Sequence, residues 1–259
     1  MRVSLLVTCV VDVVAPDVGE AAVRLLRAAG CDVVVNLDQT CCGQPGWNAG
    51  FAEEAAAVAR ATLAALEADL DAGAEAVVVP AGSCATMVRV FWPELFEVVG
   101  DHEAAARARR VGGRTRELSE FLADHAADLP PLALGRPVTV ALHESCHMLR
   151  ELRIVDAPRQ LVAAVDGCEA VAWAGSDRCC GFGGTFSVKL PEASVAMADE
   201  KLRALDAGAP GAELLVGCDS SCLMHLQSRA EATGHPVHVR HLAEVLAAAL
   251  PADGDGDRR

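Results

Sequence analysis

Tyrosine does not occur in this chain of 259 residues, and aromatic residues make up only 3% of it. A core must therefore be built from Ala, Val and Leu. At 52% hydrophobic residues there are enough of them for one large domain or two small ones. Positive charge is also scarce. There are 22 basic residues against 36 acidic ones, a net charge of −14. That deficit argues against nucleic acid or an anionic membrane as the main partner. Lysine is nearly missing, with only Lys189 and Lys201, as an Arg- and Ala-favouring coding background would give. No G-x-G-x-x-G turn links a strand to a helix, so the fingerprint of a dinucleotide site is not there. No apolar run reaches the roughly 18 uncharged residues of a spanning helix. The opening MRVSLLVTCVVDVV meets Asp12, Pro16 and Asp17 too soon for a signal peptide. The expectation is a cytoplasmic chain with no membrane span.

What the chain has in quantity is cysteine, 11 in all. In a reducing compartment so many thiols point to metal or redox roles rather than to structural disulfides. Their spacing repeats. Cys9 and Cys31 recur 137 residues on as Cys146 and Cys168; Cys41, Cys42 and Cys84 recur 138 residues on as Cys179, Cys180 and Cys222. Only Cys218 has no counterpart. The surrounding text agrees: AAGCDVV at 28–34 matches VDGCEAV at 165–171, and ELSEFLADHAADL at 117–129 resembles HLAEVLAAAL at 241–250. The chain is an internal duplication of two units.

Each unit alternates strand and helix. In the first, strands are expected at 2–8, 32–37 and 77–80, with helices at 15–30, 48–72 and from Cys84 to about Val98. In the second, strands are expected at 138–143, 169–174 and 213–217, with helices at 157–166, 191–206 and from Leu223. A further strand precedes a last helix. The fold class is α/β: two tandem, pseudo-symmetric, three-layer domains with mainly parallel sheets. The first domain is set at 1–128 and the second at 136–250. The Pro- and Gly-rich stretch LPPLALGRP at 129–137 is read as the link, and 251–259 as a disordered tail.

Four thiols of each unit fall just past strand ends, where ligands gather in an open α/β sheet. These are Cys9, Cys41, Cys42 and Cys84, and then Cys146, Cys179, Cys180 and Cys222. Glycines after each pair let the backbone approach sulfur closely. Converging thiolates suit zinc or an iron–sulfur cluster. Adjacent cysteines chelate one small ion poorly but can reach different irons of a cluster, which favours iron–sulfur. Cys31, Cys168 and Cys218 read as core thiols. His143, His147 and His225 read as supporting residues rather than ligands. Lys189 is a surface lysine or a cation beside an anionic group. The two CCG triplets read as two copies of one ancestral site, and the glycine-rich CCGFGGTFSVK as the one bearing the chemistry.

The strings CCGQPGWNAG, PAGSC, CCGFGGTFSVK and SCLMHL, in the pattern C-x31-CCG…C followed by C-x32-CCG…C, resemble the duplicated cysteine-rich CCG-domain family. One component of heterodisulfide reductase and the iron–sulfur component of glycolate oxidase are members. The likeness runs from about residue 2 to 250. It implies a redox subunit, inactive alone, of a complex oxidising L-lactate or another small 2-hydroxy acid to pyruvate. Its partners would include a ferredoxin-like iron–sulfur protein. The resemblance implies an iron–sulfur cluster, of [4Fe–4S] type, on Cys146, Cys179, Cys180 and Cys222. On Cys9, Cys41, Cys42 and Cys84 it implies a second cluster or zinc. No residue is assigned a catalytic role. The alternatives are a zinc-binding module without redox function and a heterodisulfide reductase-like thiol–disulfide enzyme. The family pattern ends each repeat in C-x-x-C, and here the first position of that motif is Ala81 or Asp219.

Overall fold

The computed structural model describes residues 1–251. Of the tail expected at 251–259, all but Pro251 lies outside the described residues. The first half runs β1 (Arg2–Leu5), α1 (Cys9–Val14), α2 (Pro16–Ala28), β2 (Asp32–Val34), α3 (Gln44–Asn48), α4 (Ala52–Asp71), β3 (Ala76–Val79), α5 (Gly82–Thr86), α6 (Trp92–Val98), α7 (His102–Arg114), β4 (Thr115–Glu117) and α8 (Leu118–Asp124). A π-helical turn, Met87–Phe91, joins α5 to α6 without a break. The second half runs β5 (Leu132–Leu142), α9 (Asp156–Ala163), β6 (Val165–Val171), α10 (Thr185–Lys189), α11 (Pro191–Gly208), β7 (Leu214–Gly217), α12 (Ser220–Thr233), β8 (His238–His241) and α13 (Leu242–Ala248).

The strands form two four-stranded sheets, β2-β1-β3-β4 and β6-β5-β7-β8. Every pairing in both is parallel, as the βαβ alternation requires. The duplication is therefore structural as well as textual, and the α/β class holds. Several expectations shift. The strand expected at 2–8 stops at Leu5, because Thr8 turns the chain at φ 75° and caps α1. The long helix expected at 48–72 begins only at Ala52, because Gly50 takes a φ of 84° that no helix accommodates, and Asn48 instead ends the short α3. The segment 129–137 does exclude a helix, but β5 already begins inside it at Leu132, paired with Val165. A Pro in a strand is tolerated at a bulge, and the register breaks there between Ala133 and Val138. Finally, α7 was not expected, since its buried stripe of Ala104, Ala105, Ala108, Val111 and Gly112 is made almost wholly of small residues. It has no counterpart in the second half.

Each sheet is covered on both faces, and one covering layer is common to the two. Residues from β1, β3, α2 and α8 share a single buried cluster with residues from β5, β7, α9 and α13. Within it α2 packs on α13, and α8 on α9. The outer faces have separate cores. Leu6, Val77 and Val79 pack with α4, α6 and α7. Ala141 and Leu215 pack with α11 and α12. Two backbone contacts fix the halves at the ends of β3 and β7. The Gly82 N–H donates to the Cys218 carbonyl at 3.1 Å, and the Ser83 N–H to the Asp219 carboxylate at 2.8 Å. A Cβ on Gly82 would lie 2.4 Å from the Met148 side chain, so the two chain segments meet where only glycine fits.

Candidate metal centre

The first quartet is assembled by three chain reversals at the carboxyl edge of its sheet. Cys9 opens α1 directly after β1. Cys41 and Cys42 lie in the loop after β2. Cys84 is the third residue of α5, among the free N–H groups of its first turn. Gly43 follows the pair in the left-handed region at φ 84°, and a Cβ there would come within 2.6 Å of the Ala55 carbonyl. Glycine is required. Its N–H points at the Cys41 sulfur, 3.4 Å away. Sulfurs of Cys9 and Cys41 are 3.5 Å apart, and those of Cys42 and Cys84 are 3.3 Å apart.

The second quartet repeats these devices. Gly181 has φ 89° and approaches the Ser194 carbonyl so closely that a Cβ would be 2.5 Å from it. The N–H groups of Gly181 and Phe182 point at Cys179 and Cys180 sulfur, at 3.4 and 3.5 Å. Cys180 and Cys222 sulfurs lie 2.8 Å apart, and the Cys146 sulfur lies 3.9 Å from His147 Nδ1. All eight thiols are unbridged. The structure thus brings together every cysteine singled out as a ligand. Each quartet closes on its own partners. Yet both open on one cleft of about 110 Å³ between the halves, walled also by Gln44, Ser83, His147 and Gly184. Two copies of one site share a single opening.

Packed thiols titrate together. In each quartet one thiol is pulled far down: Cys41 by hydrogen bonds from Cys42 and Cys9, and Cys179 by those from Cys146 and Cys180. The donors Cys9, Cys42, Cys146 and Cys180 are pushed up, by those same hydrogen bonds and by burial. Such a set holds few negative charges by itself and would release protons on meeting a cation.

The two quartets differ in what stands behind them. At the end of β1 the Leu6 N–H donates to the Val78 carbonyl at 2.9 Å; at the end of β5 the His143 N–H donates to Val216 at 2.7 Å. Leu6 and His143 are thus equivalent positions. Both are buried, but one is apolar. A second exchange lies on the long helices. Ala59, Leu63 and Leu66 of α4 correspond to Ala198, Leu202 and Leu205 of α11, all buried, which sets Thr62 opposite Lys201. Thr62 accepts from the Thr40 N–H at 2.9 Å and donates to the Cys41 carbonyl at 3.2 Å. Lys201 is fully buried and donates to the carbonyls of Gly175, Ser176 and Arg178 at 3.2, 3.0 and 2.5 Å. Its ammonium also sits 5.3 Å from the centre of the Trp173 ring. Burial pulls Lys201 down to about 8, against the opposing pull of the Cys180, Cys222 and Cys179 thiols. The third exchange is Ala81 for Asp219. Asp219 is buried and committed to Ser83 and Ser221, and these hydrogen bonds outweigh burial to hold its carboxyl below the ordinary range.

Other expectations resolve individually. Cys31 is buried in the shared core and Cys168 packs against it. Cys218 is buried in that core too and does not line the cleft of the quartets. Lys189 is exposed, with its ammonium 5.5 Å from the centre of the Phe51 ring, and does not wall the cleft. The cation behind the second quartet is instead the other lysine, Lys201. A signal for it existed: a lysine at a core-facing position of a helix. His147 reaches Gln44 across the cleft at 3.4 Å. His225 bonds Ser194, 3.1 Å away.

The donor chemistry fits a soft metal or an iron–sulfur cluster. Four thiols of each half line the cleft, backbone N–H groups point at the sulfurs of Cys41, Cys179 and Cys180, and glycine cradles keep carbon out of the way. Such a group, once bound, supplies one-electron redox chemistry if it is a cluster and charge neutralisation if it is zinc. The chain's own residues supply the thiolates, the N–H groups that spread their charge, and the cleft between the halves.

Comparison with known proteins agrees with this geometry. The model of the CCG cysteine-rich domain matches twice, at residues 3–89 and 140–227. The lactate utilization protein A of Exiguobacterium sp. is 43% identical over 95% of this chain and 96% of its own. That of Anoxybacillus flavithermus is 42% identical over 95% and 99%, and the lactate utilization protein A 1 of Bacillus mycoides 40% over 95% and 96%. The chain belongs to the CCG cysteine-rich domain family, and within it to the family of lactate utilization protein A.

Proposed function

We propose that the chain is the iron–sulfur-binding redox subunit of a cytoplasmic complex that oxidises L-lactate, or a closely related 2-hydroxy acid, to pyruvate. The observation that carries the proposal is the convergence of eight unbridged thiols on one cleft. The names of the relatives supply the process, lactate utilisation. Oxidation of lactate releases two electrons and two protons. A chain without a dinucleotide fingerprint passes the electrons between partners, a ferredoxin-like iron–sulfur protein among them. The second quartet holds the cluster through Cys146, Cys179, Cys180 and Cys222. The first holds a second cluster or zinc through Cys9, Cys41, Cys42 and Cys84. Among the described residues no helix is long and apolar enough to cross a membrane.

The test is anaerobic purification of the full chain, with analysis of iron, zinc and acid-labile sulfide and an absorption spectrum. Brown protein with iron and sulfide is expected, with no lactate oxidation by a soluble dye until partner subunits are added. A colourless protein carrying zinc alone, or turnover by the pure chain, would overturn the proposal.

A further inference from the structure

The side chain of His143 lies behind the second quartet. Its ring is buried, 4% exposed, and neither nitrogen has a hydrogen-bond partner. One of its nitrogens and the sulfurs of Cys180 and Cys222 lie within 4.8 Å of one another. A buried imidazole that bonds nothing is costly, since each nitrogen forfeits the hydrogen bond it made to water. Native structures satisfy such groups, and an orphan beside two thiols calls for a missing partner. Supporting histidines at metal sites usually give their free nitrogen to a carboxylate or a carbonyl, which fixes the tautomer. Here Asp219, the nearby carboxylate, is taken up by Ser83 and Ser221. The one backbone carbonyl beside the ring, that of Ser176, already accepts from the Glu144 N–H and the Lys201 ammonium.

The first half supplies an internal control. Leu6 stands in the same place against the same strand neighbour, packed into an apolar core with Cys42 and Cys84. Nothing in the fold at that position requires a polar side chain. We infer that His143 is a nitrogen donor to the group held by Cys180 and Cys222, so the second site has mixed sulfur and nitrogen ligation and the first has sulfur alone. The inference rests on the proposed function only for which metal is present. Imidazole and thiolate together suit iron and zinc alike.

The test uses the full chain with its histidines labelled with nitrogen-15, reconstituted with iron and sulfide, reduced, and measured by pulsed electron paramagnetic resonance. Coupling to a labelled nitrogen is expected in the wild type, lost in His143→Leu and retained in His147→Gln and His225→Gln. Should His143→Leu fail to fold, His143→Gln, whose amide nitrogen carries no label, takes its place, and the same loss is expected. Absence of the coupling in the wild type, or its persistence in folded His143→Leu, overturns the inference. If the chain takes up no iron, the proposed function fails and cobalt(II) becomes the probe. A labelled nitrogen on cobalt that disappears in His143→Leu then supports the inference, and sulfur-only coordination or no binding overturns it.

Discussion

The two quartets use the same loops and the same glycine devices, yet they sit on different ground. Behind the first are Leu6, Ala81 and the hydroxyl of Thr62. Behind the second are His143, Asp219 and the ammonium of Lys201, all buried. A duplicated scaffold has kept its thiols and changed the electrostatics beneath them. The lesson is that thiolate count fixes where a cofactor can sit, while the residues one layer down fix whether two such sites behave alike. For an anionic cluster there, the Lys201 cation would favour the reduced form and the Asp219 anion would oppose it, a balance with no counterpart in the first half.

The comparison can be broken first at the ligands. Cys222→Ser and Cys84→Ser should each remove most of the metal of one half and spare the other, read by metal analysis of the purified variants. Cys218→Ser, made in the shared core, should leave metal content unchanged. Equal losses from all three would refute the division into two quartets. Next come the residues beneath. Lys201→Met removes the three hydrogen bonds that a buried ammonium gives to the 175–178 loop and should cost roughly 3 kcal/mol in denaturant unfolding, against about 1 kcal/mol for Thr62→Val. The smaller of these would sharpen the comparison: a cost equal to that of Lys201 would mean the two supports are interchangeable.

A last test concerns another equivalent pair, Glu117 and His241, which cap α8 and α13. Both are fully enclosed in the shared core. Burial pushes Glu117 up to about 7 and pulls His241 down to about 4. Between pH 4.5 and 7 folded Glu117 holds a proton that the unfolded chain has lost, so this residue makes stability fall as pH rises. Between pH 4 and 6.5 the unfolded chain holds a proton on His241 that the folded chain lacks, so this residue makes stability rise with pH. The two slopes oppose each other where they overlap. Glu117→Gln should therefore leave stability rising across that window, and His241→Asn should leave it falling, each by up to about 3 kcal/mol. Urea midpoints at several pH values read the difference; parallel profiles in the two variants would exclude it.

Much of this was legible in the sequence because a duplication prints its own alignment. The repeat of five cysteines located both quartets, and the βαβ alternation gave parallel sheets. What stayed hidden depends on contacts between distant residues. Leu132 was lost inside a Pro- and Gly-rich stretch because strand pairing with Val165, not local propensity, decides it. That Lys201 rather than Lys189 backs the site depends on which face of α11 meets the 175–178 loop. The common cleft depends on how the halves pack, which spacing does not encode. Asp219, seen in the sequence only as a missing thiol, is a clamp between the halves because Ser83 happens to lie opposite.

The shared helical layer has a consequence for ancestry. By the order of the repeat, α2 corresponds to α9 and α8 to α13. The contacts α2 with α13 and α9 with α8 are then one contact made twice, with the roles exchanged. In an assembly of separate chains this is an isologous interface, the signature of two-fold symmetry. A single-repeat ancestor would have buried this layer only by pairing with a copy of itself. Fusion then made the two copies covalently distinct, and so allowed one of them to acquire a histidine and a lysine that the other never received.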